Sequence, residues 1–242
     1  MVLLAVLFDL GGTLVYHSSD TNELIRSSHR AMANYLVSKG SAVEPDDVVR
    51  VSNGIYEAYA SFAERSFIEL DARVIYSAIL YQLGIADYCD EDLITGAINS
   101  FYSPIVEDYS VFEDVEGVLS KLRERGLELG LVTNNHSTDF HLRLLRKFEL
   151  ERFFDSIIVS SDLGIRKPHK SIFLHCLKML DTTNESSIFV GDNPFHDIQG
   201  AKNAGIRCIW VKRKNYEDIP TKPDWTAESM TEAGKIIASL LS

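Results

Sequence analysis

Apolar residues along the chain fall into two rhythms. Residues 3–8, 127–132, 156–159, 187–190 and 207–211 are short, mostly apolar runs, long enough for strands buried on both faces and too short for helices. Between the later runs, residues 115–125, 138–148, 170–180 and 195–204 carry apolar positions at helical spacing, with Gly126 and Gly205 closing the first and last. Strand and helix alternating in this way predict an α/β fold, a Rossmann-like parallel sheet covered by helices on both faces. Residues 16–109 break the rhythm and read as helices only. Asp20 and Glu23 suit a capping box ahead of Leu24, Ala31, Tyr35 and Leu36. Pro45 suits a first helical turn ahead of Val48, Val51, Ile55, Tyr59 and Phe62. Leu70, Val74, Ala78 and Ile79 mark a third helix ending at Gly84, and Leu93, Ala97, Ile98 and Phe101 a fourth stopped by Pro104. A helical insertion behind the first strand predicts a cap of residues 16–106 over a core of residues 1–15 and 107–242.

Composition narrows the classes of partner. With 242 residues, 45% hydrophobic and 24% charged, the chain has the apolar material for a large folded core. Its 24 Lys+Arg against 35 Asp+Glu leave a net charge of −11. That balance argues against a general binder of nucleic acid or of anionic membranes, which needs clustered basic residues. Lys212, Arg213 and Lys214 form the one basic run. No apolar run approaches the ~18 residues of a membrane helix, and the start lacks the pattern of an export signal. Cys89, Cys176 and Cys208 are scattered, without metal-binding or redox spacing. The expected setting is soluble, cytoplasmic and reducing, with oligomeric state left open.

The chemistry sits at strand ends. In an open parallel sheet, ligands bind beyond the carboxyl ends of the strands. Asp9 follows the first strand, Thr133 and Asn134 close the second, Lys167 comes after the third, and Asp192 and Asp197 follow the fourth. Several carboxylates brought together repel unless a hard cation neutralises them, and all-oxygen donors suit Mg²⁺. A threonine hydroxyl, a lysine ammonium and backbone N–H groups at a helix start together hold a phosphate. Asp9 is then free to attack phosphorus and form an acyl phosphate. The expected partner is a small phosphorylated molecule.

With these motifs the chain resembles the haloacid dehalogenase superfamily of hydrolases, in the subgroup with a helical cap between the first two motifs. Asp9 with Gly12, Thr13 and Leu14 matches the first motif, Thr133 the second, Lys167 in Gly-x-x-Lys-Pro the third, and Gly191, Asp192 and Asp197 the fourth. The resemblance implies Asp9 as nucleophile, with Thr133, Asn134, Gly12 and Lys167 on the phosphoryl group. It also implies Mg²⁺ on Asp9, the Gly11 carbonyl, Asp192 and Asp197. The pentapeptide at residues 9–13 also resembles a phosphate loop of actin-like sugar kinases, but the chain holds no second such loop.

Gly11 departs from the pattern. Phosphatases of the superfamily carry a second Asp there, which protonates the leaving oxygen. Positioned acid–base catalysis contributes roughly 10²–10⁴-fold in rate. Three readings follow: a Mg²⁺-dependent phosphatase with a substitute acid such as His17, or less readily Tyr16; a dehalogenase-like or phosphonatase-like hydrolase; and a binding or regulatory protein without turnover. Lys39, the one lysine of the cap, reads as a solvated helix-end charge. His136, His169 and His196 read as polar loop or first-turn residues beside the motifs, with His29, His141 and His175 as structural.

Overall fold

The computed structural model describes residues 3–85 and 89–241. Eight strands are present among them: β1 (Ala5–Phe8), β2 (Val15–His17), β3 (Tyr109–Val111), β4 (Glu128–Thr133), β5 (Ser156–Val159), β6 (Ser187–Gly191), β7 (Arg207–Val211) and β8 (Trp225–Ala227). Six of them form one parallel sheet in the order β5-β4-β1-β6-β7-β8. Ala5 pairs with Glu128 on one side and Ser187 on the other, so β1 lies inside the sheet. Its side chains alternate faces: Val6 and Phe8 join one core with Ile188 and Val190, while Ala5 and Leu7 join the other with Phe189. Both faces are buried, which is why the strands read as continuous apolar runs.

Helices α5 (Val115–Glu124), α6 (Thr138–Lys147), α7 (Ser160–Leu163), α8 (Lys170–Met179), α9 (Gly200–Asn203) and α10 (Met230–Ser239) connect and follow the strands, with a π-helical turn at Pro194–Gln199. Helices α1 (Thr21–Ser38), α2 (Pro45–Ser66), α3 (Ala72–Gln82) and α4 (Glu91–Asp108) build a unit with its own core, shared with Phe140 and Leu144 of α6. Asp20 caps α1 through the amides of Asn22 and Glu23. None of the described helices is long and apolar enough to cross a membrane.

Three details differ from the sequence reading. The stretch at 16–109 is not wholly helical, because β2 and β3 form an antiparallel ribbon at its two ends. Helix α4 runs through Pro104 to Asp108. A proline removes one amide donor, and burial of Ile105 and Val106 keeps the last turn in place. Val74 and Phe62 face outward, at 56% and 39% exposed, although their spacing suited the apolar face.

The helical unit is fastened to the segment after α7 as well. Ile68 pairs antiparallel with Ile165, the Glu69 amide donates to the Gly164 carbonyl at 3.1 Å, and Arg166 N donates to the Phe67 carbonyl at 3.0 Å. A few residues away, the Tyr102 hydroxyl meets His136 Nε2 at 2.6 Å and Ala72 N donates to the His136 carbonyl at 2.7 Å.

Candidate active site

The carboxyl ends of β1, β4 and β6 open on a cavity of about 310 Å³. Asp9, one residue past β1, is buried there. One carboxylate oxygen accepts from Lys167 Nζ at 2.6 Å and the other from the Thr13 hydroxyl at 3.0 Å. Lys167 Nζ also donates to Asp197 Oδ1 at 2.7 Å. Asp192 completes the group, with its Oδ1 3.4 Å from Thr13 Oγ1. Asp9, Asp192 and Asp197 each present an oxygen, all within 4.8 Å of one another. The motif residues far apart in the chain are thus gathered at one point.

Local backbone chemistry sets these positions. Asn193 accepts from the amides of Phe195 and His196, starting the π-helical turn, while its own amide donates to Asp197 Oδ2 at 2.9 Å. Gly191 leaves room for that carboxylate: a Cβ there would stand 2.5 Å from Asp197 Oδ2. Gly12 has φ +87°, and a Cβ would meet Asp192 Oδ2 at 2.5 Å. The Gly12 amide donates to the Val15 carbonyl at 2.7 Å. That amide closes the turn. The Asn134 side chain is also largely committed. Its oxygen accepts from Lys167 N at 2.8 Å and its nitrogen donates to the Lys167 carbonyl at 3.0 Å. One amide hydrogen and the backbone N–H of Asn134 remain for a ligand.

The electrostatics explain what such a cluster needs. Burial alone would strip the proton from Lys167, but Asp197 and Asp9 outweigh it and hold its pKa above the usual lysine value. Burial raises the Asp192 pKa, and repulsion from Asp9 and Asp197 adds to it. Burial likewise raises Asp197, partly offset by Lys167. With all three carboxylates ionised, one ammonium would leave −3 + 1 = −2, a charge that one divalent cation cancels. All-oxygen donors fit Mg²⁺ in the same way.

Thr133 closes β4 with its hydroxyl 3.1 Å from His141 Nε2 on α6. His141, read from sequence as structural, therefore lines the cavity. Burial pulls its imidazole down to about 4, so it is neutral near pH 7. Gly11 lines the cavity, and a Cβ there would meet nothing within 4 Å. His17, offered by the sequence as a substitute acid, lies on the ribbon and outside the cavity lining. Its ring packs on Tyr109 and its Nδ1 is 3.2 Å from the Ser19 carbonyl. The residues nearer the chemistry are Tyr109, Arg166, His196, Lys214 and Tyr216. Of these, Lys214 comes from the one basic run of the sequence.

A sequence profile described as haloacid dehalogenase-like hydrolase matches residues 6–211. Among characterised relatives, glyceraldehyde 3-phosphate phosphatase of Methanopyrus kandleri is 27% identical over 220 residues, spanning 91% of this chain and 88% of that protein. Pyrophosphatase PpaX of Bacillus mycoides is 28% identical over 246 residues, 99% of each. In structure, 2-haloacid dehalogenase from Pseudomonas syringae pv. Tomato superposes with a TM-score of 0.71 at 23% identity over 99% of both chains. A phosphatase from Thermococcus onnurineus superposes with a TM-score of 0.66 at 20% identity, covering 97% of this chain and 98% of that one. At such identities the superpositions speak to the fold alone. The profile spans most of the chain and takes in every motif gathered around the cavity, and on that ground the protein belongs to the haloacid dehalogenase-like hydrolases.

Proposed function

We propose that the protein is a Mg²⁺-dependent phosphatase of small phosphorylated metabolites that works through a phosphorylated Asp9. The observation that carries this is the Lys167 ammonium held between Asp9 and Asp197 at 2.6 and 2.7 Å, with Asp192 beside them. An ammonium so placed offsets charge on Asp9 and on an incoming phosphoryl group. The relatives named as phosphatases and pyrophosphatases, similar over nearly the whole chain, support the same class.

In this reading an Asp9 oxygen attacks phosphorus, the bond to the leaving oxygen breaks, and that oxygen departs with the electron pair. Water then attacks the phosphorus, the Asp9–phosphorus bond breaks, and inorganic phosphate leaves with Asp9 restored. Thr133 and the Asn134 backbone N–H grip phosphoryl oxygens. Asp9, Asp192, Asp197 and the Gly11 carbonyl would hold Mg²⁺, whose positive charge, when bound, offsets the carboxylates and the phosphoryl oxygens. Gly11 has no proton to give, so leaving groups that depart as stable anions are favoured over alkoxides. The helical unit acts as a cap that excludes water while the acyl phosphate exists.

The test is Mg²⁺-dependent phosphate release from a panel of phosphomonoesters by the wild type and Asp9→Asn, with acid-quench trapping of phosphoenzyme. Turnover and trapping in the wild type, both lost in Asp9→Asn, are expected. Undiminished release by Asp9→Asn would sink the covalent route. Mg²⁺ binding without turnover on any substrate would favour the binding-protein reading that Gly11 invites.

A further inference from the structure

Arg166, next to Lys167 in the chain, is a largely buried cation whose one ion pair among the described residues is with Glu69. Its backbone amide is pinned by the Phe67 carbonyl at 3.0 Å, and its side chain is only 16% exposed. Within that burial, its Nε has no hydrogen-bond partner among the described residues. The Glu69 carboxylate stands 3.8 Å away, beyond hydrogen-bond reach, and its Oε2 already accepts from the Ser160 hydroxyl at 2.6 Å. A buried donor with nothing to bond carries the cost of its lost hydration uncompensated.

The same side chain lines two adjoining spaces, the cavity over Asp9 and a second of about 280 Å³ walled by α2 of the helical unit. Tyr59 lines the second space, and its buried hydroxyl also has no partner among the described residues. Two residues with buried, unbonded donors thus line one compartment, next to the place where a phosphoryl group would sit.

We infer that this compartment is a subsite for a second anionic group, a carboxylate or a phosphate, carried on the leaving portion of the substrate and held by the Arg166 guanidinium with the Tyr59 hydroxyl. The inference rests on the phosphatase reading for where the first phosphoryl group lies. Glu64 and Glu69 line the same compartment, so no general positive field draws an anion in. Recognition falls to the planar fork of the guanidinium, whose paired N–H groups match the two oxygens of a carboxylate or phosphate. Lysine, a point charge, would lack that match.

Three ligands on one carbon frame test this: 3-phosphoglycerate carries a carboxylate, glycerol 1,3-bisphosphate a second phosphate, and glycerol 1-phosphate neither. Calorimetric titration into the full-length Asp9→Asn chain with Mg²⁺ reads binding without cleavage, alone and combined with Arg166→Met or Arg166→Lys. At least one doubly anionic ligand is expected to bind about 10- to 100-fold tighter than glycerol 1-phosphate. Arg166→Met should erase that preference and Arg166→Lys retain only part of it, which keeps the test open if the Met variant misfolds. Whichever ligand is preferred identifies the anion. Equal affinity for all three, or a preference that survives Arg166→Met, would overturn the subsite. So would equal weakening of all three, which would put the fork on the transferring phosphoryl group. Failure to bind any of them would sink the subsite and the phosphatase reading together. Discrimination in binding without wild-type turnover would leave the subsite standing and the phosphatase reading refuted.

Discussion

Replacing Gly11 with aspartate should turn a slow catalyst of alkyl phosphate hydrolysis into a faster one. The position accepts a side chain: a Cβ there meets nothing within 4 Å, the residue is exposed, and its backbone lies outside the left-handed region. The new carboxyl would stand over the cavity that Gly11 already lines. A positioned acid is worth roughly 10²–10⁴-fold, or about 2.7–5.5 kcal/mol of barrier. The gain should depend on the leaving group. With glycerol 1-phosphate, whose alkoxide needs a proton, kcat should rise at least ~100-fold. With 4-nitrophenyl phosphate, whose phenolate departs without one, it should change by no more than a few-fold. Gly11→Asn, similar in volume but unable to donate a proton, should gain nothing. A fourth carboxylate near three others is costly. At a separation of roughly 6 Å each like charge costs about 0.7 kcal/mol in water and about 2.8 at protein-surface screening, so Tm should fall modestly. Steady-state kinetics on the two substrates decide the matter. Equal gains on both, or gains matched by Gly11→Asn, would refute the idea that the missing group is a proton donor.

Other consequences are as direct. Mg²⁺ should raise Tm of the wild type, by about 2.7 kcal/mol of stabilisation at a hundredfold excess over Kd. Asp192→Asn should abolish that rise while melting higher than the wild type without metal, since burial and repulsion push the Asp192 pKa up to about 8 and folding near pH 7 must protonate it; an unaltered Mg²⁺ response would remove Asp192 from the metal site. His29 is buried against Phe101 with neither ring nitrogen bonded among the described residues, and burial lowers its pKa to about 4. The unfolded chain therefore takes up this proton first, and stability is lost as pH falls from about 6.5 toward 4, at about 1.2 kcal/mol per unit near pH 5. His29→Leu should remove that slope in urea titrations at pH 7 and 5, and an unchanged slope would contradict it. Ser160→Ala takes away the hydroxyl that bonds the buried Glu69 carboxylate, so a loss of about 1–3 kcal/mol in chemical denaturation is expected; no loss would contradict a stabilising role for that bond.

Sequence showed the sheet clearly because both of its faces are covered. Ala5 through Phe8 are apolar without a break for that reason, and the polar residues that end such runs, Asp9, Thr133 and Asp192, stand out against them. Lys167 was legible through its Gly-x-x-Lys-Pro setting. The β2–β3 ribbon was hidden because three residues per strand leave no measurable period. Pro104 misled because apolar packing on both sides holds the last turn of α4 against one missing amide bond. His141 was misjudged for a different reason: a residue eight positions past Thr133 reaches back to it only because α6 turns under the end of β4. Arg166 and Tyr59 gave no signal, since an arginine beside a motif lysine and a tyrosine on an apolar helix face both have ordinary explanations until their partners are seen to be missing. Gly12 and Asn134 show the converse, motif residues with polar groups engaged within the protein, the Gly12 amide in the turn and the Asn134 side chain in part on Lys167.

The position of β1 between β4 and β6 also governs how the chain comes to be folded. Residues 5–8 leave the ribosome long before either neighbour, for Ala5 pairs with Glu128 and with Ser187. At translation rates of about 5–20 residues per second, the wait for the second partner is on the order of 10–40 s. Helices α1–α4 can pack on one another in that interval through nearer contacts, whereas the four apolar residues ahead of Asp9 have no sheet to enter. Pairings so distant in sequence carry a high loop-closure cost and slow folding. The strand that ends at Asp9 is accordingly open to capture by chaperones or by other chains during synthesis. Mutations that delay β6 should lower yield of the folded protein before they lower the activity of what folds.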